Sequence, residues 1–184
     1  VLFALAFGWS LVSPTLAPRV QRFSLARDAG QVPNEWLALS PDGSALVMAY
    51  PTQLFVRRWG DLTASPISGT EGTAYDPIVS PDGREVAFVT GGGQLTVAPV
   101  EGGLVRVLAD SARCCIRWGG DGFVYYSAVG NHISRVPATG GEVEQVTELS
   151  TEDDGPHAYF QILPGGDVGV FTVLRTPSQI EAMD

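Results

Sequence analysis

The chain has 184 residues, 45% of them apolar and 17% charged, enough apolar surface for a core of ordinary size and a balance unlike that of a disordered chain. Twenty acidic residues against eleven basic ones give a net charge of −9, which argues against a nucleic-acid binder. All eleven basic residues are arginine, so a lysine Schiff base or a phosphate-gripping lysine is excluded from this segment. Twenty-two glycines and thirteen prolines suit many short strands joined by tight turns.

Residues 1–12, VLFALAFGWSLV, carry no charge and are too few to span a bilayer, which needs roughly 20 residues. With no initial Met and no basic stretch before it, the run reads as the end of a transmembrane helix rather than a signal peptide, and the chain as part of a longer one. Residues 1–18 are accordingly an apolar segment and its Pro-containing linker, and residues 19–184 a separate domain. Arg19, Arg22 and Arg27 sit where positive charge favours the cytoplasmic side, a point against export of the domain behind them. Gln21–Ala26 reads as one extra strand before the repeats begin.

Ser40–Pro41–Asp42–Gly43 recurs verbatim as Ser80–Pro81–Asp82–Gly83, is degraded to Gly119–Gly120–Asp121–Gly122, and is weaker still at Leu163–Pro164–Gly165–Gly166. The closing glycines 43, 83, 122 and 166 are spaced by 40, 39 and 44 residues. A short apolar or β-branched run lies on either side of each turn, ALVMAY after the first and EVAFVT after the second, so each turn joins a β-hairpin. Proline presets φ at one corner of that turn and glycine tolerates positive φ at the last. A third run comes after each hairpin (Gln53–Trp59, Gln94–Val100, His132–Ala138, Gln179–Asp184). A fourth closes the first three units (Ser65–Ser68, Leu104–Leu108, Val143–Leu149).

Four short strands in about 40 residues make a unit that cannot cover both of its faces and must stack on its neighbours. The expected fold is all-β: a partial β-propeller of about three complete four-stranded blades plus part of a fourth. Asp42, Asp82 and Asp121 are read as turn formers, because an Asp side chain bonds backbone two residues on, rather than as a ring of catalytic or metal-binding carboxylates. Ser40, Pro41, Gly43, Ser80, Pro81, Gly83, Gly122, Gly165 and Gly166 complete that structural set.

No residue presents itself as catalytic, cofactor-binding or metal-binding. Cys114 and Cys115 are adjacent, and strand alternation places them on opposite faces, one in the core and one between sheets. His132 and His157 lie 25 residues apart with no paired spacing, and the acidic stretch Glu148–His157 lacks the alternating pattern of a calcium loop. Trp36, Trp59 and Trp118 are expected in core or blade-to-blade packing, and nothing in their spacing makes Arg57, Arg58, Arg113 and Arg117 converge.

The strand–SPDG–strand unit resembles the WD-like repeats of the TolB-type β-propeller family from about Arg19 to Asp184. The order of segments adds a finer likeness. An apolar stretch, a linker, RFSLA (Arg22–Ala26), LSPDG (Leu39–Gly43), VSPDGREVAFV (Val79–Val89) and RVPATGGEVEQVTEL (Arg135–Leu149) resemble the C-terminal region of bacterial membrane-anchored serine/threonine protein kinases.

That likeness implies a non-catalytic sensor propeller, membrane-anchored through its N-terminal segment and extracytoplasmic (periplasmic), binding a protein, peptide or small ligand on a blade-loop face. The kinase's own signatures, a Gly-rich phosphate loop, HRD, DFG and any lysine, do not occur here. Two other readings remain open. One is a TolB-like periplasmic scaffold, the other the propeller of a prolyl-oligopeptidase-type serine hydrolase, whose G-x-S-x-G elbow does not occur in this sequence.

Overall fold

A computed structural model describes residues 33–150, 155–163, 168–175 and 179–183, which are strands and their connections. Residues 1–18, the strand expected at Gln21–Ala26, and Gly165 and Gly166 lie outside the described residues. The strands are β1 (Leu37–Leu39), β2 (Ala45–Ala49), β3 (Leu54–Arg58), β4 (Ser65–Pro66), β5 (Ala74–Val79), β6 (Glu85–Thr90), β7 (Leu95–Pro99) and β8 (Arg106–Ala109). They continue as β9 (Ala112–Trp118), β10 (Phe123–Ala128), β11 (Ile133–Pro137), β12 (Glu144–Gln145), β13 (His157–Ile162), β14 (Gly169–Val173) and β15 (Gln179–Met183).

Each repeat is one antiparallel meander: β1-β2-β3-β4, β5-β6-β7-β8, β9-β10-β11-β12 and β13-β14-β15. The described residues are therefore all-β, with three four-stranded sheets and a three-stranded one among them, as the repeat demands. The second and third strands fall within the apolar runs because their side chains are buried on both faces. In β6, Val86, Ala87, Phe88 and Val89 are all between 0% and 2% exposed. Outer strands are shorter than their runs: β4 and β12 have two residues each, all exposed, with neighbours on one side only.

Strand alternation decides how the sheets stack. Val86 and Phe88 point into a cluster with Val47, Ala49 and Val56 of the first sheet. Ala87 and Val89 point the other way, onto Ile116, Val124 and Tyr126 of the third. Tyr125 and Ile133 then meet Phe160, Phe171 and Val173 of the fourth. Each large side chain buried in this way contributes about 1.5–3 kcal/mol, so stacking, not the individual meander, holds the modules together. Polar ties cross the same boundaries: Arg58 pairs with Glu101, and Arg106, held by Glu85 of its own sheet at 2.8 Å, donates to the Ala138 carbonyl of the next module at 3.1 Å.

Among the described residues no helix is long and apolar enough to cross a membrane.

Candidate binding cleft

The first two turns are built alike. The Ser40 hydroxyl donates to Asp42 Oδ1 at 2.6 Å and accepts the Ala45 N–H at 2.9 Å, while the Ser44 N–H reaches the same carboxylate at 3.0 Å. In the second turn Ser80 donates to Asp82 at 2.6 Å and accepts from the Glu85 N–H at 2.9 Å, and the Arg84 N–H donates to Asp82 at 3.1 Å. Gly43 and Gly83 close the turns at φ of 71° and 75°, where a Cβ is disfavoured. The Ser40 hydroxyl, followed by the Ser44 N–H and hydroxyl, lowers the Asp42 carboxyl to about 2, and Ser80 and the Arg84 N–H lower Asp82.

The third turn departs from this pattern. Gly119 supplies no hydroxyl, so Asp121 Oδ1 takes only the Phe123 N–H at 3.1 Å, and Oδ2 accepts the Tyr125 hydroxyl at 2.6 Å. A Cβ at Gly119 would stand 2.2 Å from Asp121 Oδ1 and 3.1 Å from Ile162 Cδ1, so a side chain here requires the Asp121 carboxylate to swing aside. A cleft of about 590 Å³ lies between the third turn and β13. Its walls are Arg117 and Trp118 from β9, the Gly119–Asp121 turn, and Gln161, Ile162 and Leu163.

The wall is braced from behind. Tyr125 stacks on Phe160 with ring centroids 4.7 Å apart, and Arg135 lies 4.4 Å over the Phe123 ring. Arg117 Nη1 is anchored on the Ile116 carbonyl at 2.7 Å.

A second feature runs along the innermost strands. Asp76, Cys115 and Tyr159 each precede the closing glycine of their module by seven residues, and each adopts a left-handed backbone, with φ of 52°, 65° and 55°. Each marks a β-bulge, seen as a register shift between the first and second strands of its sheet. Asp76 Oδ2 accepts the Ile116 N–H of the next module at 3.0 Å, with the Cys115 N–H also directed at the carboxylate. Cys115 in turn accepts the Tyr159 N–H of the module after it. The side chain at one bulge therefore holds the backbone of the next. Burial raises the Asp76 carboxyl, opposed by those two N–H groups and by Arg117.

This row corrects the sequence-based expectation for the cysteines. Alternation holds in a regular strand, but the bulge at Cys115 breaks it, and the two thiols lie in hydrogen-bond contact instead of on opposite faces. The corresponding positions are Trp36, Asp76, Cys115 and Tyr159, which share no chemistry, so residue type gave no hint of the row. The spacing from the turn glycine was the available signal.

His157 is buried at the start of β13 with Nδ1 2.8 Å from the Thr147 hydroxyl, and His132 lies in the β10–β11 turn. Trp36 and Trp118 pack against the first and second inter-sheet clusters, and Trp59 against Leu46, Met48 and Tyr50. The arginines disperse: Arg58 goes to Glu101, Arg113 to Asn131 and Arg117 to the cleft. Among the described residues no three His, Cys, Asp or Glu side chains are grouped to hold a metal ion.

No family model and no curated protein matches the sequence. Solved structures do match the fold. The Cps50 (Swd1) β-propeller domain of Myceliophteria thermophila superposes with a TM-score of 0.65 at 9% identity, over 85% of this chain and 54% of that one. TolB from Acinetobacter baumannii gives 0.63 at 15% identity, over 81% and 40%. Kuenenia stuttgartiensis hydrazine synthase gives 0.63 at 16% identity, over 86% and 49%. The chain spans about half the length of these structures or less, and the fold it shares with them is that of a β-propeller.

Proposed function

We propose that this region is a non-catalytic binding propeller that seats a peptide or protein segment in the cleft between its third and fourth modules. The observation that carries the reading is the third turn. Where two modules close with Ser-Pro-Asp-Gly, this one has Gly-Gly-Asp-Gly, and a concavity walled by Arg117 and Trp118 lies beside it. Arginine and tryptophan are the residue types that most often dominate binding energy at interfaces, and a braced concave wall limits the ordering cost of binding.

Panning a random peptide library on the chain tests this. Enriched peptides should slow amide exchange at residues 117–121 and 161–163, and Trp118→Ala should weaken them at least tenfold. Peptides that protect another face and are indifferent to Trp118 contradict the proposal.

The order of segments around LSPDG and VSPDGREVAFV supports a narrower reading. In it the region is the extracytoplasmic sensor of a bacterial membrane-anchored serine/threonine kinase, and the ligand acts by binding two orientations of the membrane-proximal linker with different affinity. Deleting residues 19–184 from a kinase-bearing parent should then abolish ligand-dependent phosphorylation. Unchanged dependence, or a parent with no kinase domain, leaves the scaffold reading in its place.

A further inference from the structure

Beyond the binding reading, and independent of it, we propose that Cys114 and Cys115 form a vicinal dithiol redox site that closes to a disulfide on reaction with a hydroperoxide.

The geometry begins with the bulge. Cys115 has φ of 65° and comes directly after a residue paired with Ser127, with the register broken on both sides of that pair. This breaks the alternation that would send two neighbouring side chains to opposite faces, and the Cys114 and Cys115 sulfurs are near enough to interact. The Ser127 hydroxyl, on the residue paired across the sheet with Cys114, is buried without a hydrogen-bond partner among the described residues. Cys115 is buried. Cys114 is half-buried and lines a cavity of about 70 Å³ with Arg113, Asn131 and His157, roomier than the ~30 Å³ of a water molecule and open to a small peroxide.

The electrostatics suit a nucleophile. Cys115 is lowered to about 7, first by the hydrogen bond from Cys114 and then by the Tyr159 N–H, against the opposing effects of burial and of Asp76. The same bond pushes Cys114 up. One proton is therefore held between two sulfurs and the other leaves near neutrality.

The shared proton passes between the two sulfurs, and in the minor form that has it on Cys115 the thiolate stands on Cys114, the sulfur that lines the cavity. Its attack on the peroxide forms an S–O bond and breaks O–O, and the departing alkoxide or hydroxide takes a proton from solvent. The Cys115 thiol then attacks the Cys114 sulfenic sulfur: S–S forms, S–O breaks, and hydroxide leaves with the Cys115 proton as water. Two thiols and one hydroperoxide become one disulfide, one alcohol (or water) and one water.

Neighbouring Cα atoms lie about 3.8 Å apart, below the usual ~4.4–6.8 Å of a disulfide, so the ring is strained and small thiols reduce it readily. That makes the site a reversible one.

The sequence contains two cysteines, so a disulfide within one chain has only this connectivity. The full chain is treated with graded hydrogen peroxide at neutral pH, alkylated with iodoacetamide in denaturant, and weighed intact. The expected product is two hydrogens lighter, carries no alkyl group, and regains two alkylatable thiols after dithiothreitol. Cys115→Ser should stop at a sulfenic acid on Cys114 that dimedone traps, and Cys114→Ser should keep its remaining thiol. Peroxide-treated protein that keeps both thiols, that ends as sulfinic acid, or that forms only links between two chains overturns the proposal.

Discussion

Replacing Asp76 by alanine removes the acceptor that ties the second module to the third. The Ile116 N–H, now 3.0 Å from Asp76 Oδ2, and the Cys115 N–H are left without that acceptor in a buried seam, at about 1–3 kcal/mol for each unsatisfied donor. Alanine must also hold φ of 52°, where a side chain without a local hydrogen-bonding group costs roughly 1 kcal/mol more. Against this, the variant no longer buries a carboxylate whose charged form the interior disfavours, which returns part of the loss. The net destabilisation is about 3 kcal/mol.

Asp76→Asn keeps an acceptor oxygen and a residue type at ease in the left-handed region, and should cost about 1 kcal/mol or less. Urea unfolding at neutral pH, followed by tryptophan fluorescence, reads both. Alanine within about 0.5 kcal/mol of the parent, or asparagine as damaging as alanine, refutes the reasoning.

Three further outcomes rest on the same contacts. Ser80→Ala strips Asp82 of its hydroxyl partner and leaves the Glu85 N–H short of one, so the urea midpoint should fall by the equivalent of about 1–2 kcal/mol. Gly119→Ser with Gly120→Pro rebuilds the common turn across the cleft and should abolish binding of the selected peptides while the far-UV spectrum stays that of a β protein. In acid, the two kinds of carboxylate act oppositely. Asp42, lowered from 3.8 to about 2 on folding, contributes stability above pH 3.8 that is lost as pH falls toward 2. Asp76, raised on folding, contributes most below 3.8 and loses that contribution as pH rises through its folded value. A pH series of unfolding midpoints should therefore be flatter below pH 4 for Asp42→Ala and flatter above it for Asp76→Asn.

Much of the architecture was legible because its causes are local. Pro41 and Pro81 with Gly43 and Gly83 dictate a turn from their own backbone preferences, and runs such as EVAFVT are apolar throughout because both faces of a middle strand are covered. The first strands were harder to place. β5 reaches back to Ala74 and β9 to Ala112, and each is interrupted by a bulge that alternation does not foresee.

The cleft was half visible. The Gly-Gly-Asp-Gly departure stands in the sequence, but its consequence depends on Ile162 and Gln161, about forty residues away in the next module. The thiol contact was hidden altogether, since it arises from one left-handed residue whose partners are Asp76 and Tyr159 in the two neighbouring modules.

Successive modules stack in order, each touching only the ones beside it, an arrangement that through-space NMR contacts between side chains can test. Phe88 should show contacts to Val47 of the first module and Val89 to Val124 of the third, with none joining Val47 to Val124. Contacts between the first and third modules, as in a two-layer sandwich, would contradict it.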